Sequence, residues 1–125
     1  MKYDFTAASA YFAAKNAATT GPHELSGMLD RKEDVVVVDL RFPSDFSRSH
    51  VPGAINLPKG KWEKAAGLSK DKLNILYCYD QTCHLAAEAA ALLVAQGYPV
   101  LEMEGGYAAW EAKSLPIVTA PPKAA

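Results

Sequence analysis

Residues 74–93, NILYCYDQTCHLAAEAAALL, decide the fold, because an apolar strand-like run stops at a cysteine and a helix-like run begins six residues further on. Ile75, Leu76 and Tyr77 have the β-favouring character of a buried parallel strand, whereas Leu85, Ala86, Ala89, Leu92 and Leu93 recur at helical spacing. Between them lies the loop Cys78-Tyr79-Asp80-Gln81-Thr82-Cys83, with His84 opening the helix. In an open α/β sheet, ligands bind beyond the carboxyl ends of the strands, where such a loop feeds the first unpaired amides of the next helix. Those amides suit an anion or a thiolate. A thiolate beside a helix N-terminus has a lowered pKa, so Cys78 is read as a nucleophile rather than as packing material.

Working outward, the whole chain has 125 residues, half of them apolar, which is the size of one ordinary domain with a real core. A net charge of −1 and a pI near 6.3 carry no basic footprint for nucleic acid or for an anionic membrane. No run approaches the roughly 18–20 apolar residues of a membrane span. The alanine-rich start lacks the charged head and greasy middle of a signal peptide. Two cysteines in one short loop staple nothing, and their use fits a reducing compartment. The expectation is a cytoplasmic protein.

Upstream, Thr6 is the expected N-cap of an alanine-rich helix over 7–18, and Pro22 the first residue of a second helix to about Asp30 that buries Leu25, Met28 and Leu29. The β-branched run Val35–Asp39 reads as a central strand buried on both faces. It ends in Asp39-Leu40-Arg41, where Asp39 and Arg41 either pair to support neighbouring loops or face a ligand. Residues 43–49 suggest a short helix or turn, and 50–58 a tight turn entering a short strand. His50 invites a general-base role, but a lone loop histidine more often bonds a backbone carbonyl. Residues 59–66 suggest helical turns carrying Trp62. Downstream of the loop, Gly97 stops the helix that begins near His84, and a strand over 98–103 follows. A turn at 104–106 then leads to a final helix over 107–113 with Trp110 on its buried side. Strands alternating with helices imply a mostly parallel sheet covered on both faces.

Three segments, VVVVDLRFPSDFSRSHVPGAINLP, ILYCYDQTCHLAAEAAALLVAQGYPV and LEMEGGYAAW, resemble in order the signatures of a single rhodanese domain. The resemblance implies the rhodanese-like three-layer α/β/α fold. It also implies a sulfurtransferase in which Cys78 takes a sulfane sulfur from a donor, carries it as a persulfide and passes it to a thiol or other nucleophile. Donor and acceptor are then small molecules or proteins, with no cofactor. On this basis the chain divides into an N-terminal helical extension packed on the domain (1–20), the rhodanese-like domain (21–118) and a flexible tail (119–125). Oligomeric state is not legible.

The loop departs from the family pattern. Active rhodaneses resemble Cys-Arg-x-Gly-x-Arg here, with cations that attract a dianionic donor such as thiosulfate. This loop has Tyr79 and Asp80 after the cysteine, Gln81 at the glycine position and Cys83 where a second cation or a threonine would stand. Exchanging cation for anion disfavours a dianion by about 1–4 kcal/mol at a partly desolvated surface. Polysulfide, a small persulfide or a protein persulfide is therefore the expected donor. Cys83 is either a resolving thiol on the loop's rim or a small side chain buried at the helix start. His84 either activates a thiol or simply begins the helix. Cys78, Cys83 and His84 lack a fourth partner at metal-site spacing, so no metal is expected. Two other function classes stand beside sulfur transfer: a redox module cycling Cys78 and Cys83, and a binding module that has lost the chemistry.

Overall fold

A computed structural model describes residues 1–120. In chain order the elements are α1 (Phe5–Ala18), β1 (Thr19–Thr20), α2 (Pro22–Asp30), β2 (Val36–Asp39), α3 (Pro43–Arg48) and β3 (Ser49–His50). There follow β4 (Ile55–Asn56), β5 (Asn74–Tyr77), α4 (Leu85–Ala95), β6 (Val100–Met103), α5 (Gly106–Ala112) and β7 (Val118–Thr119). The main sheet has five strands in the order β1-β6-β5-β2-β4, all paired in parallel. The expected three-layer α/β/α architecture is thus present. From β2 the chain moves outward to β4, then returns to β5 and continues to β6 on the other side. The strand order reverses between β2 and β5, which puts the ligand crevice beyond Asp39 and Tyr77.

Alternation along the strands splits the core in two. Val38, Leu76 and Cys78 face α4, where Ala86, Ala89 and Leu93 pack against them. Val37, Ile75, Tyr77 and Met103 face the opposite layer, with Leu25 of α2 and Tyr107 and Trp110 of α5. Burying one such large apolar side chain contributes about 1.5–3 kcal/mol, which explains why β5, buried along its whole length, anchors the sheet. Asn74 fixes the entry to β5. Its amide donates to the carbonyls of Ser69, Lys72 and Pro99, and its carbonyl accepts from Ser69 N. At the end of α4, Gly97 has φ +92, and Tyr98 N and Gly97 N bond to the carbonyls of Leu93 and Val94. This glycine stop satisfies carbonyls that the helix leaves open.

Four expectations are corrected. The cap of α1 is Asp4, whose carboxylate accepts from Ala7 N at 2.9 Å, so Thr6 lies inside the helix. Both residues are good caps, and Asp4 brings a charge to the helix N-terminus as well. The N-terminal extension does not pack a face on the domain: α1 buries no side chain, because alanines occupy all its sides and its aromatics, Phe5, Tyr11 and Phe12, are exposed. It is held instead at its C-terminal end, where Lys15 pairs with Glu104 at 2.9 Å and Thr19–Thr20 joins the sheet beside β6.

Residues 59–66 form turns rather than helix. Gly60 at φ +97 and Ala65 at φ +48 break any helical path, while Trp62 is buried with its indole N–H on Leu57 O. Finally, the tail does not begin at Thr119, since β7 pairs antiparallel with β3 and Ala120 N donates to Arg48 O. Residues 121–125 of that tail lie outside the described residues.

Candidate active site

Cys78 follows the last residue of β5, is 2 % exposed, and is joined in a disulfide to Cys83, with their Cα atoms 6.3 Å apart. The disulfide is the two-electron oxidised form of a dithiol site. Both cysteines line a small cavity of about 20 Å³, enough for roughly one water-sized group. Asp80, Glu102 and Glu104 also line it, and no lysine or arginine does.

Each loop residue has a definite task. Tyr79 turns away from the cavity: its hydroxyl donates to the Asp45 carboxylate of α3 and accepts from Phe42 N. Burial and then Asp45 push its pKa up, so it remains a neutral phenol. Asp80 accepts from both Thr82 N and Thr82 Oγ1 at 3.1 Å, and its carbonyl accepts from Cys83 N. Two amides of the expected anion cradle therefore point at Asp80 instead. Gln81 Oε1 accepts from Gly105 N at 2.6 Å, tying the loop to the turn before α5. His84 is exposed at the start of α4, and that helix has no side-chain cap.

The loop is held from below by α5. Tyr107 N donates to Cys78 O at 2.8 Å and Ala108 N to Tyr79 O at 2.9 Å, so the orphan amides of the helix's first turn grip the active-site backbone. The close approach requires glycine at 106. A Cβ there would lie 2.7 Å from both Cys78 O and Asp80 N, at φ +60.

Asp39 and Arg41 form a buried ion pair, with Arg41 Nε and Nη2 on both carboxylate oxygens at 2.8–3.1 Å. Burial alone would lower the Arg41 pKa, but hydrogen bonding to Asp39 and its charge overcome that and hold it above the ordinary value. Arg41 also donates to Ser49 O at 2.6 Å and lies 3.9 Å over the Tyr107 ring. Tyr77 Oη donates to Asp39 at 2.6 Å and accepts from Val51 N, and burial followed by Asp39 raises its pKa. Both Asp39 carboxylate oxygens and the Arg41 Nε and Nη2 thus face partners, as a buried charge requires. A hollow of about 250 Å³ lies beside this network, between Arg41, Arg48 and Tyr79, and neither cysteine reaches it.

His50 does not line the cysteine cavity. Its Nδ1 is 2.9 Å from Phe46 O and its ring stacks on Phe46. Sequence reading missed Glu102, Glu104 and Gly106, because their relation to the loop is a long-range one. The Gly105-Gly106 pair was the one local signal.

Glu102 is half-buried on β6, and burial, then Glu104, push its carboxyl above the ordinary range, against an opposing pull from His84.

A family model described as the Rhodanese-like domain matches residues 21–113. A sulfurtransferase of Allochromatium vinosum is 35% identical over 96 residues, which cover 75% of this chain and 88% of that protein. The thiosulfate sulfurtransferase GlpE of Pseudoalteromonas translucida is 37% identical over 87 residues, covering 65% of this chain and 77% of that one. Among solved structures, the BH2092 protein of Bacillus halodurans superposes with a TM-score of 0.84 at 28% identity, over 93% of this chain and 87% of its own. With the strand–Cys78–loop–helix arrangement in place at the reversal of strand order, the chain belongs to the rhodanese-like family and is a sulfurtransferase that serves a sulfur donor and an acceptor.

Proposed function

We propose that Cys78 carries the transferred sulfur as a persulfide and hands it to a thiol or other nucleophilic acceptor. The observation that supports this most is the position of Cys78 at the carboxyl end of the central strand, on a cavity with room for about one added atom. Covalent carriage divides one transfer into two easier steps. Tyr79 and Gln81 tether the loop, and the Asp39–Arg41 pair supports the backbone around it.

The donor is a small persulfide, polysulfide or protein persulfide in preference to thiosulfate. Carboxylates line the cavity and no cation opposes them. Comparing kcat/KM for cysteine persulfide and thiosulfate tests this, and Asp80→Arg should improve thiosulfate use. Equal efficiency with both donors in the wild type contradicts it.

Cys83 acts as a resolving thiol. It attacks the inner sulfur of the Cys78 persulfide, the S–S bond to the outer sulfur breaks, hydrosulfide leaves with the proton of Cys83, and the Cys78–Cys83 disulfide forms. The two cysteine sulfurs are oxidised as the departing sulfane sulfur is reduced. A cellular reductant reopens the site. With Cys83→Ser the persulfide should last longer without acceptor and release less sulfide; unchanged lifetime and sulfide release would assign Cys83 to packing.

The disulfide also favours a second reading, a dithiol redox module in which sulfur carriage is incidental. Sulfur transfer that survives in Cys83→Ser separates the first from the second. Both readings place the protein in the cytoplasm, where thiols are kept reduced. No helix among the described residues is long and apolar enough to cross a membrane.

A further inference from the structure

Glu102 stands where a parallel sheet covered by a helix ordinarily carries an apolar side chain. Along β6, Leu101 packs with Met103, Ile75 and Tyr77 on the α5 side, so Val100 and Glu102 face the α4 side with Leu76 and Cys78. The parallel register sets Glu102 beside Leu76, two residues before Cys78 on the neighbouring strand. Its side chain lines the cysteine cavity. The other two carboxylates there are engaged, Glu104 by Lys15 and Asp80 by Thr82.

We propose that Glu102 sets the charge class of sulfur donor, turning away dianions while admitting monoanionic or neutral carriers of the same sulfane sulfur. This rests on the reading of Cys78 as the sulfur carrier. A carboxylate held between a strand and a helix start is poorly screened, and its repulsion grows with each unit of charge on the incoming donor. The groups facing it are Glu104 just past the end of β6, His84 at the start of α4 and Asp80 from the loop. Lys15 of α1 neutralises Glu104 from the outer side, with Glu24 of α2 nearby.

The sign of the pH dependence follows. Burial and Glu104 favour the neutral acid, so Glu102 gains its proton at a higher pH than an ordinary glutamate. The barrier to dianions is complete when Glu102 is ionised and falls as pH drops through that raised pKa.

The test uses two donors that differ by one charge. Thiosulfate gives its outer sulfur to the Cys78 thiolate and leaves as sulfite; methanethiosulfonate does the same and leaves as methanesulfinate. In each case one S–S bond breaks, one forms on Cys78, and the leaving group takes the electron pair. The ratio of kcat/KM for thiosulfate to that for methanethiosulfonate cancels any loss of structure common to both. In Glu102→Gln the ratio should rise about tenfold at neutral pH and low salt, the change expected for one more unit charge beside a half-exposed carboxylate. It should also lose its rise towards acid pH. Glu102→Asp, which restores the charge, should keep the ratio low, and Glu104→Gln should move it less.

In the wild type the ratio should climb as the Debye length shrinks from about 30 Å at 0.01 M salt to about 10 Å at 0.1 M. A ratio that is the same in wild type and Glu102→Gln at every pH, with sulfur still loading onto Cys78 by intact mass, overturns the role of Glu102 and leaves sulfur carriage standing. Failure of both donors to load Cys78 in the wild type overturns both.

Discussion

Replacing Gly106 by alanine tests whether α5 holds the Cys78–Cys83 loop in shape. The added Cβ would sit 2.7 Å from Cys78 O and Asp80 N and 2.8 Å from Tyr79 C, all of them backbone atoms that cannot swing aside. A left-handed conformation at φ +60 costs an alanine about 1–2 kcal/mol relative to glycine. Relieving the overlap pulls the loop off α5 and weakens the bond from Tyr107 N to Cys78 O, worth about 0.5–1.5 kcal/mol net. Together these predict a loss of roughly 1.5–3.5 kcal/mol, a fall in Tm on the order of 10 °C for a domain of this size. Urea unfolding gives the first quantity. The rate at which reduced protein takes up sulfur from cysteine persulfide, measured well below the transition, gives the second, and it should fall at least tenfold because the displaced backbone is that of Cys78 itself. A variant within about 0.5 kcal/mol of wild type with an unchanged rate would refute the claim that α5 positions the loop.

Two further outcomes concern buried charge. Asp39→Asn leaves the Arg41 guanidinium buried without its counter-ion and should cost about 3–5 kcal/mol in urea unfolding, and a loss below 1 kcal/mol would mean the pair is replaceable by Ser49 O and the Tyr107 ring alone. Glu102→Gln should stabilise the protein at neutral pH. The folded-state pKa of this acid is raised, so its ionisation opposes folding fully above that pKa, and the penalty falls away as the pH drops from there through the ordinary glutamate pKa. The stability gap between variant and wild type should therefore close as the pH is lowered, and a gap independent of pH would contradict the raised pKa.

The parts of the fold that were legible in the sequence are those governed by local rules. The β-branched run at 35–38 and the Ile75-Leu76-Tyr77 run have room for one structure only, since both faces of each strand are buried. Gly97 was legible because a helix end needs a positive φ, and the glycine supplies it. Local rules ran out where two answers were equally good: Asp4 and Thr6 both suit an N-cap, and the alanines of α1 have high helix propensity but no stripe to bury. The turns at 59–68 hold helix-forming residues around Trp62, yet the indole bond to Leu57 O and the positive φ at Ala65 select another path.

At the site, the cysteines were visible from spacing alone, whereas what surrounds them was not. Gly106 and Glu102 lie far downstream of the loop in sequence, and only the parallel register of β5 with β6 brings them to it. The same holds for Tyr107 over Arg41, a stacking between residues that share no local pattern.

The most direct test of sulfur carriage is intact-mass analysis, with peptide mapping, of the reduced protein after brief exposure to cysteine persulfide. The account predicts a reductant-labile gain of one or more sulfur atoms on Cys78, absent in Cys78→Ser and longer-lived in Cys83→Ser. A labile sulfur that maps to Cys83 in the Cys78→Ser protein, or no addition to the wild type at all, would contradict it.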